Sequence, residues 1–407
     1  MTTVELGDGL KVSALGFGGM SLTDVYGAVS DDDALRTLTH AVDSGVTFID
    51  TANVYGDGRS ETTIGKLLKT RRDDVQLATK FGIVRQGGVG QRGVRGDREY
   101  VREQVELSLA RLGTDRIDLY YQHRVDPVVP IEETVGAVKE LVEEGKVLHI
   151  GLSEATGDEI RRAVSVHPIA AIQSEWSVVS RDVERFVVPA AREHEVGFVS
   201  YSTLGRKWLA GLLDYNDLVE GDVRLNISRY TPTNLAYNQP VLEEFLKIAD
   251  EIGVTGAQLA LAWFYAKGRE FALPVVSIPG SRFAERVSEN LAGVDIELTA
   301  QQVERLDTLA AKVRGHRSAQ RSWCPRHASD PRPRLGGVSI GRSIRAGSSR
   351  WACVGSPLVV PLTMHFDVSW STAVRRLPFT AALTVALAIV GVATGSLWGP
   401  GERQVLV

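Results

Sequence analysis

Apolar strand-like runs alternate with helix-spaced segments along most of the first 314 residues, and this alternation narrows the fold more than any other feature. A hairpin comes first, in residues 2–13 around Gly7-Asp8-Gly9. Strands are then expected at 14–20, 46–50, 75–80, 117–122, 147–152, 169–173, 196–201 and 275–278. Helices are expected at 34–44, 60–69, 98–112, 131–144, 158–166, 182–195, 241–252, 257–267, 282–291 and 299–314. Ser30 followed by Asp31, Asp32 and Asp33 is a helix start favoured by the helix dipole, and Gly45 is a stop. Residues 82–96 and 212–238 read as irregular loops.

Strands alternating with helices pair in parallel through right-handed crossovers. An open doubly wound sheet and a closed barrel both satisfy that pattern. The open sheet calls for Gly-x-Gly-x-x-Gly after the first strand, and Gly16-Phe17-Gly18-Gly19 lacks that spacing. About eight units, with polar residues at strand C-termini, favour an α/β fold of the (β/α)8 barrel type, whose active site is built from those ends.

The 407 residues, 43% of them hydrophobic, suffice for one large or two ordinary domains. A net charge of -4 argues against a nucleic-acid partner, since phosphate binding needs a concentrated basic face. The two cysteines, Cys324 and Cys353, both come late, so the main body suits a reducing cytosol. The start, Met-Thr-Thr-Val-Glu-Leu, has neither a basic stretch nor a long apolar run, and no signal peptide is expected.

Four polar residues share one place in this scheme. Asp50 and Lys80 end strands, Tyr55 lies on the loop after Asp50, and His123 follows the strand at 117–122. In a parallel barrel these ends converge on one mouth. Each has a plainer reading: Asp50 as a turn cap, Tyr55 as a loop aromatic, Lys80 reaching to solvent, His123 as a satisfied histidine. Together they make coherent chemistry. A phenol, with an ordinary pKa near ~10, is a poor proton donor at neutral pH until an ammonium stabilises its phenolate. A carboxylate would keep that ammonium charged and oriented, and an imidazole would fix a carbonyl oxygen.

Further stretches agree with that chemistry. They are Gly16-Phe17-Gly18-Gly19-Met20, Asp50-Thr51-Ala52 with Tyr55-Gly56, Thr79-Lys80-Phe81-Gly82 and residues 117–124. Gly151-Leu152-Ser153-Glu154, Gln173-Ser174-Glu175-Trp176-Ser177, Tyr201-Ser202-Thr203-Leu204-Gly205, Ile278-Pro279-Gly280-Ser281 and Glu289-Asn290 follow in order. With these, residues 3–313 resemble the aldo-keto reductases, NADP(H)-dependent (β/α)8 barrels. The resemblance implies that Tyr55 is the general acid, that Lys80 and Asp50 tune it, and that His123 positions a carbonyl. It places Gly19, Met20 and Asp50 at the cofactor, gives Ser153, Glu154 and Gln173 to the nicotinamide carboxamide, and implies that Trp176 stacks on the ring. Glu154 stands where relatives often have Asn. Ser202, Leu204, Gly205 and Lys207 match the pyrophosphate loop. Gly280, Ser281, Arg282 and Arg286 match the reader of the 2′-phosphate, favouring NADPH over NADH. Glu289 and Asn290 match adenine contacts. No metal is assigned. The expected reaction is reduction of aldehydes or ketones to alcohols; the alternatives are a cofactor-binding regulatory subunit and a membrane-tethered reductase of apolar carbonyls.

The chain departs from that pattern in two places. Thr203 and Lys207 stand where relatives have Pro and Gly, which implies an altered cofactor affinity. The barrel is expected over residues 1–314, followed at 315–376 by a low-order linker. Residues 315–350 of that linker carry eight arginines, one acid (Asp330) and no lysine. A shifted reading frame near residue 315 and a basic interaction tail are alternative accounts of it. Residues 377–400 form a candidate transmembrane helix: 379–398 is uncharged, and twenty residues at ~1.5 Å each span about 30 Å. Residues 401–407 form a tail. The expected location is cytoplasmic, membrane-anchored only through that helix, and the expected partner is a small carbonyl substrate.

Overall fold

In the computed structural model, residues 2–85 and 92–318 are described. An antiparallel pair, β1 (Thr3–Glu5) and β2 (Lys11–Ser13), is joined through a 3-10 turn at Gly7–Gly9. Then come β3 (Phe17–Gly18), α1 (Asp31–Asp43), β4 (Phe48–Asp50), α2 (Arg59–Arg71), β5 (Gln76–Phe81), β6 (Ile83–Arg85), β7 (Arg92–Val94), α3 (Arg98–Leu112), β8 (Ile117–Gln122) and α4 (Ile131–Glu143). The series continues with β9 (Val147–Ser153), α5 (Gly157–Val164), β10 (Ala171–Glu175), α6 (Val187–Glu193), β11 (Gly197–Tyr201), α7 (Pro232–Ile252), α8 (Gly256–Glu270), β12 (Val275–Ser277), α9 (Ala284–Leu291) and α10 (Ala300–Asp307).

Among the described residues, eight strands form one parallel sheet in the order β3-β4-β5-β8-β9-β10-β11-β12. A parallel bridge between Leu15 and Ser277 joins its two ends, and the Gly16 amide donates to the Ser277 carbonyl at 2.8 Å. The sheet is therefore a (β/α)8 barrel.

Strand side chains alternate between two faces. Phe48, Ala78, Leu119, Tyr121, Ala171, Val199 and Val276 fill the inside, with Leu6, Leu10 and Val12 of the hairpin packed against them. Leu6 lies against Gly197 at the start of β11, so the hairpin plugs the N-terminal end and leaves the C-terminal mouth as the working face. Ile49 and Leu77 point outward to α1 and α2, and Ile150, Leu152, Ile172 and Phe198 join the outer layer.

Several elements differ from expectation. The helix at 182–195 is broken into a 3-10 turn (Asp182–Arg185) and α6. A helix running through would set the ring of Pro189 against the carbonyl four residues back; restarting at Val187 puts Pro189 in the first turn, where no N–H is needed. Helix α7 begins nine residues before the expected 241, capped by Thr231, whose side chain accepts from the Asn234 amide, and it carries Pro240 inside. The loop at 82–96 holds the β6–β7 hairpin. Of the expected strand at 14–20, Phe17–Gly18 forms strand and Leu15 makes the single bridge to Ser277, and the chain then tightens into a 3-10 turn at Gly19–Leu22.

The described chain also passes the expected boundary at 314. The Arg314 amide donates to Asn238 Oδ1 at 2.8 Å, the His316 amide to Ser228 Oγ at 2.9 Å, and Arg317 is 5% exposed. The remainder of the expected linker from residue 319, the candidate transmembrane helix and both cysteines lie outside the described residues. Among the described residues, no helix is long and apolar enough to cross a membrane.

Candidate active site

Alternation selects the residues that reach the mouth from inside. In β4, Phe48 and Asp50 share the inner face; in β5, Ala78 and Lys80; in β10, Ala171, Gln173 and Glu175; in β11, Val199 and Tyr201. Asp50 is 2% exposed and Lys80 is fully buried. The Lys80 ammonium donates to Asp50 Oδ1 at 2.5 Å and to the Thr51 carbonyl at 2.7 Å, and the Gln173 amide donates to Asp50 Oδ2 at 2.8 Å. Burial pushes the Asp50 carboxyl above its ordinary range, while Lys80 and Gln173 pull it back.

Tyr55 hangs over this pair. Its amide donates to the Ala52 carbonyl at 3.1 Å, closing a turn, and the Ser60 amide caps its own carbonyl. Gly56 makes the turn feasible: it sits at φ 58, and a Cβ there would lie 2.7 Å from Thr23 Cγ2. The Thr51 and Ser60 hydroxyls lie 2.7 Å apart, and Ser60 donates onward to the Gly19 carbonyl, tying the loop to β3. Lys80 Nζ lies 5.1 Å from the Tyr55 ring centre, and the His123 ring meets Tyr55 edge-on at 5.8 Å. The four expected residues thus converge as one half-buried phenol, a buried ion pair and a 7% exposed imidazole.

Ser153 and Gln173 are register partners on β9 and β10, and Arg124 Nη1 lies 3.3 Å from Ser153 Oγ. After Tyr201 the chain enters left-handed backbone at Ser202, Gly205, Arg206 and Lys207. Leu204 is partly buried, Lys207 is exposed, and the Tyr230 hydroxyl donates to the Gly205 carbonyl. Thr203 is buried among hydroxyls, 2.7 Å from Ser277 Oγ and 3.0 Å from Ser200 Oγ. On the other side of the mouth, Gly280 lies so close to β3 that a Cβ would sit 2.4 Å from the Gly18 carbonyl. Ser21 donates to the Ser281 carbonyl, Arg282 donates to the Ala28 carbonyl at 2.9 Å, and Met20 is partly buried nearby. Arg282 precedes α9, so it is not one helical turn from Arg286, which pairs with Glu289 at 2.6 Å. Asn290 is buried on α9.

Two expected contacts are not met. Trp176 is fully buried on the outer side, enclosed by Phe198, Trp263, Phe264 and Phe271 at 5.0–6.4 Å, with its indole donating to Glu184. Three residues after Gln173 in an extended chain is the opposite face, so Trp176 cannot stack in the mouth. The aromatic that does reach it is Tyr201, partly buried at the top of the inner core. Its signal lay in the sequence, as the last inward residue of the strand expected at 196–201. Glu154 is fully buried, and its carboxylate accepts from Arg317, from the Tyr201 hydroxyl at 2.8 Å and from the Glu175 amide at 3.1 Å. Its oxygens are spent within the protein rather than offered to a carboxamide.

Residues 14–311 match the family model described as "Aldo/keto reductase family". The chain belongs to the aldo/keto reductase family. Among solved structures, AKR11B4, a glycerol dehydrogenase from Gluconobacter oxydans, matches with a TM-score of 0.68 at 27% identity, over 76% of this chain and 95% of its own. The thermostable aldo-keto reductase Tm1743, solved with the inhibitor epalrestat, matches at 0.59 and 30% identity, over 76% and 100%. An aldo/keto reductase from Klebsiella pneumoniae, solved with NADP and acetate, matches at 0.57 and 26%, over 76% and 95%. Membership in this oxidoreductase family covers the barrel and its mouth, and Arg317 lies beyond the matched span.

Proposed function

We propose that this aldo/keto reductase reduces aldehydes or ketones to alcohols with NADPH, Tyr55 delivering the proton to the carbonyl oxygen. The observation that carries the reading is the buried Lys80–Asp50 pair set directly beneath a phenol that also meets His123. A fixed ammonium stabilises the phenolate left behind after proton delivery, and Asp50 holds that ammonium in place. Gln173 completes the support by saturating the second Asp50 oxygen. His123 donates to the carbonyl oxygen and aligns it with Tyr55. The carbonyl oxygen, carrying the Tyr55 proton, becomes the hydroxyl of the alcohol product, and the whole alcohol departs.

The residues around the mouth fit a dinucleotide. Lys207 is exposed and, among the described residues, makes no ion pair, which suits a phosphate-facing cation, and it ends a run of left-handed residues from Gly205. Ser202, Leu204, Gly205 and Lys207 would hold the pyrophosphate; Gly280, Ser281, Arg282 and Arg286 the 2′-phosphate; Glu289 and Asn290 the adenine. Ser153 and Gln173, with Gly19 and Met20 alongside, would hold the nicotinamide end, and Tyr201 is the aromatic available to its ring. When bound, NADPH supplies the hydride. The NADP in the Klebsiella pneumoniae relative supports this choice.

The test is NADPH oxidation against a panel of aldehydes and ketones with wild type and Tyr55→Phe. Turnover by wild type and its loss in the variant are expected. Equal rates for the two proteins would end the mechanism.

A further inference from the structure

A second buried ionic cluster lies beside the mouth, and one of its members comes from the end of the described chain. Arg317 donates from Nη1 to Glu154 Oε1 at 3.0 Å and from Nη2 to Glu154 Oε2 at 2.8 Å, a bidentate pair between residues 163 apart. The same Nη2 reaches Asp182 Oδ2 at 2.9 Å. Its carbonyl accepts from Arg206 Nη1 at 3.1 Å, and that guanidinium also pairs with the fully buried Glu175 at 3.0 Å. Arg229 lies 3.6 Å from Glu175 and donates to Ser180 Oγ at 2.7 Å. Three acids (Glu154, Glu175, Asp182) therefore share one group with Arg206, Arg229 and Arg317, and Arg124 adds its charge from the Glu154 side.

Arg317 touches both loops assigned above to the cofactor. Through Glu154 it reaches the end of β9, one residue from Ser153. Through Arg206 it reaches the turn carrying Leu204, Gly205 and Lys207. Glu154 is held at φ 54, in left-handed backbone, and its amide still pairs with the Gln173 carbonyl at 2.9 Å. A side chain there that lost its counter-ion would be a buried, uncompensated charge, which protein structure relieves by moving or by taking a proton.

We propose that Arg317 is a positioning residue for the cofactor: by neutralising Glu154 and bracing Arg206 it sets Ser153 and the pyrophosphate loop in their binding geometry. This rests on the reading of the mouth as an NADPH site. The groups facing Glu154 are Arg317 from the segment at 314–317, Tyr201 from β11, Glu175 from β10, Arg124 after β8 and Asp182 before α6. Burial pushes the Glu154 carboxyl up, and Arg317 first, then Arg124 and Tyr201, bring it below its ordinary range. Removing Arg317 leaves burial dominant, so the variant should need a proton on Glu154 to restore the site.

NADPH affinity is measured by fluorescence titration of the full chain across pH 5.5–8, each variant compared with wild type at the same pH. Arg317→Ala should weaken binding about tenfold at the upper end, a mid-range coupling between linked sites, and recover as pH falls. Arg317→Lys should recover most of the affinity with a flat ratio. A ratio near one, or a large ratio that does not change with pH, overturns the proposal. Should Arg317→Ala not fold, the comparison passes to Glu154→Gln with and without Arg317→Ala: binding within about threefold supports the proposal, since Glu154→Gln leaves no charge for Arg317 to neutralise and the two positions are coupled through that charge, and a wider gap overturns it. Binding by wild type with failure of these predictions removes only the role of Arg317; no NADPH binding by wild type removes the function and this proposal together.

Discussion

Asp50–Lys80 and Glu154–Arg317 are both buried carboxylate–cation pairs at the barrel mouth, yet they are assembled differently. The first joins adjacent strands β4 and β5, whose register places Asp50 opposite Ala78, two residues from Lys80. Once the sheet closes, the pair is made. The second joins the end of β9 to residue 317, past all ten helices of the described chain. It forms only when the segment at 314–317 docks against Asn238 and Ser228. Their proton balance differs as well. Burial leaves Asp50 above its ordinary range, whereas Glu154, gripped by a bidentate guanidinium, lies below its own. A scaffold-made pair tolerates change at residues 314–317; a docked pair makes the mouth depend on them.

The sharpest break in that comparison is at the first pair. Tyr55→Phe should lower kcat by about 10²–10⁴-fold, the usual worth of a positioned proton donor, with NADPH affinity retained. Replacing the cation beneath it, Lys80→Met, strands Asp50 and should cost about 3–5 kcal/mol of stability in chemical denaturation, whatever is done at residues 314–317. Trp176→Phe should cost about 1–2 kcal/mol, as a packed outer-layer aromatic would, without changing NADPH affinity; a large affinity loss would return Trp176 to the mouth.

The second pair is read through acid stability. Because the Glu154 pKa is lowered from 4.5 in the folded protein, its contribution is full above that value and is lost as pH falls through the lower folded one. Asp50, raised from 3.8, has the opposite sign: its contribution is full below that value and is lost as pH rises through the folded one. Glu154→Gln should therefore flatten the acid limb of a pH–stability curve, and Asp50→Asn should not. An acid limb unchanged by Glu154→Gln would show that the two pairs do not differ in this way. The smallest effect is expected at Lys207, held at φ 83: Lys207→Gly should relieve strain and add about 1 kcal/mol to the denaturation free energy.

Most of the barrel was legible because its local signals agree. Asp97 caps α3 at the expected residue, and both α3 and β8 begin and end where their apolar spacing says. The tetrad was legible for the same reason: Asp50 and Lys80 close apolar runs, and a parallel barrel sends such ends to one mouth. Where the structure departs from expectation, tertiary packing outweighs a local cue. The helix expected from 241 starts nine residues earlier, at the Thr231–Pro232 cap, and runs through Pro240. Trp176, given to the ring by the resemblance, is turned to the outer layer by strand alternation.

The sequence by itself determined the order of strands and helices, the closed parallel topology and the placing of Asp50, Tyr55, Lys80 and His123 at strand ends, since each depends on periodicity or on neighbours a few residues away. Only the tertiary structure decided which aromatic enters the mouth and what neutralises Glu154. Those depend on which face a strand turns inward and on a contact across 163 residues. No local pattern encodes such a contact, because its energy exists only once the two distant segments are brought out of water together.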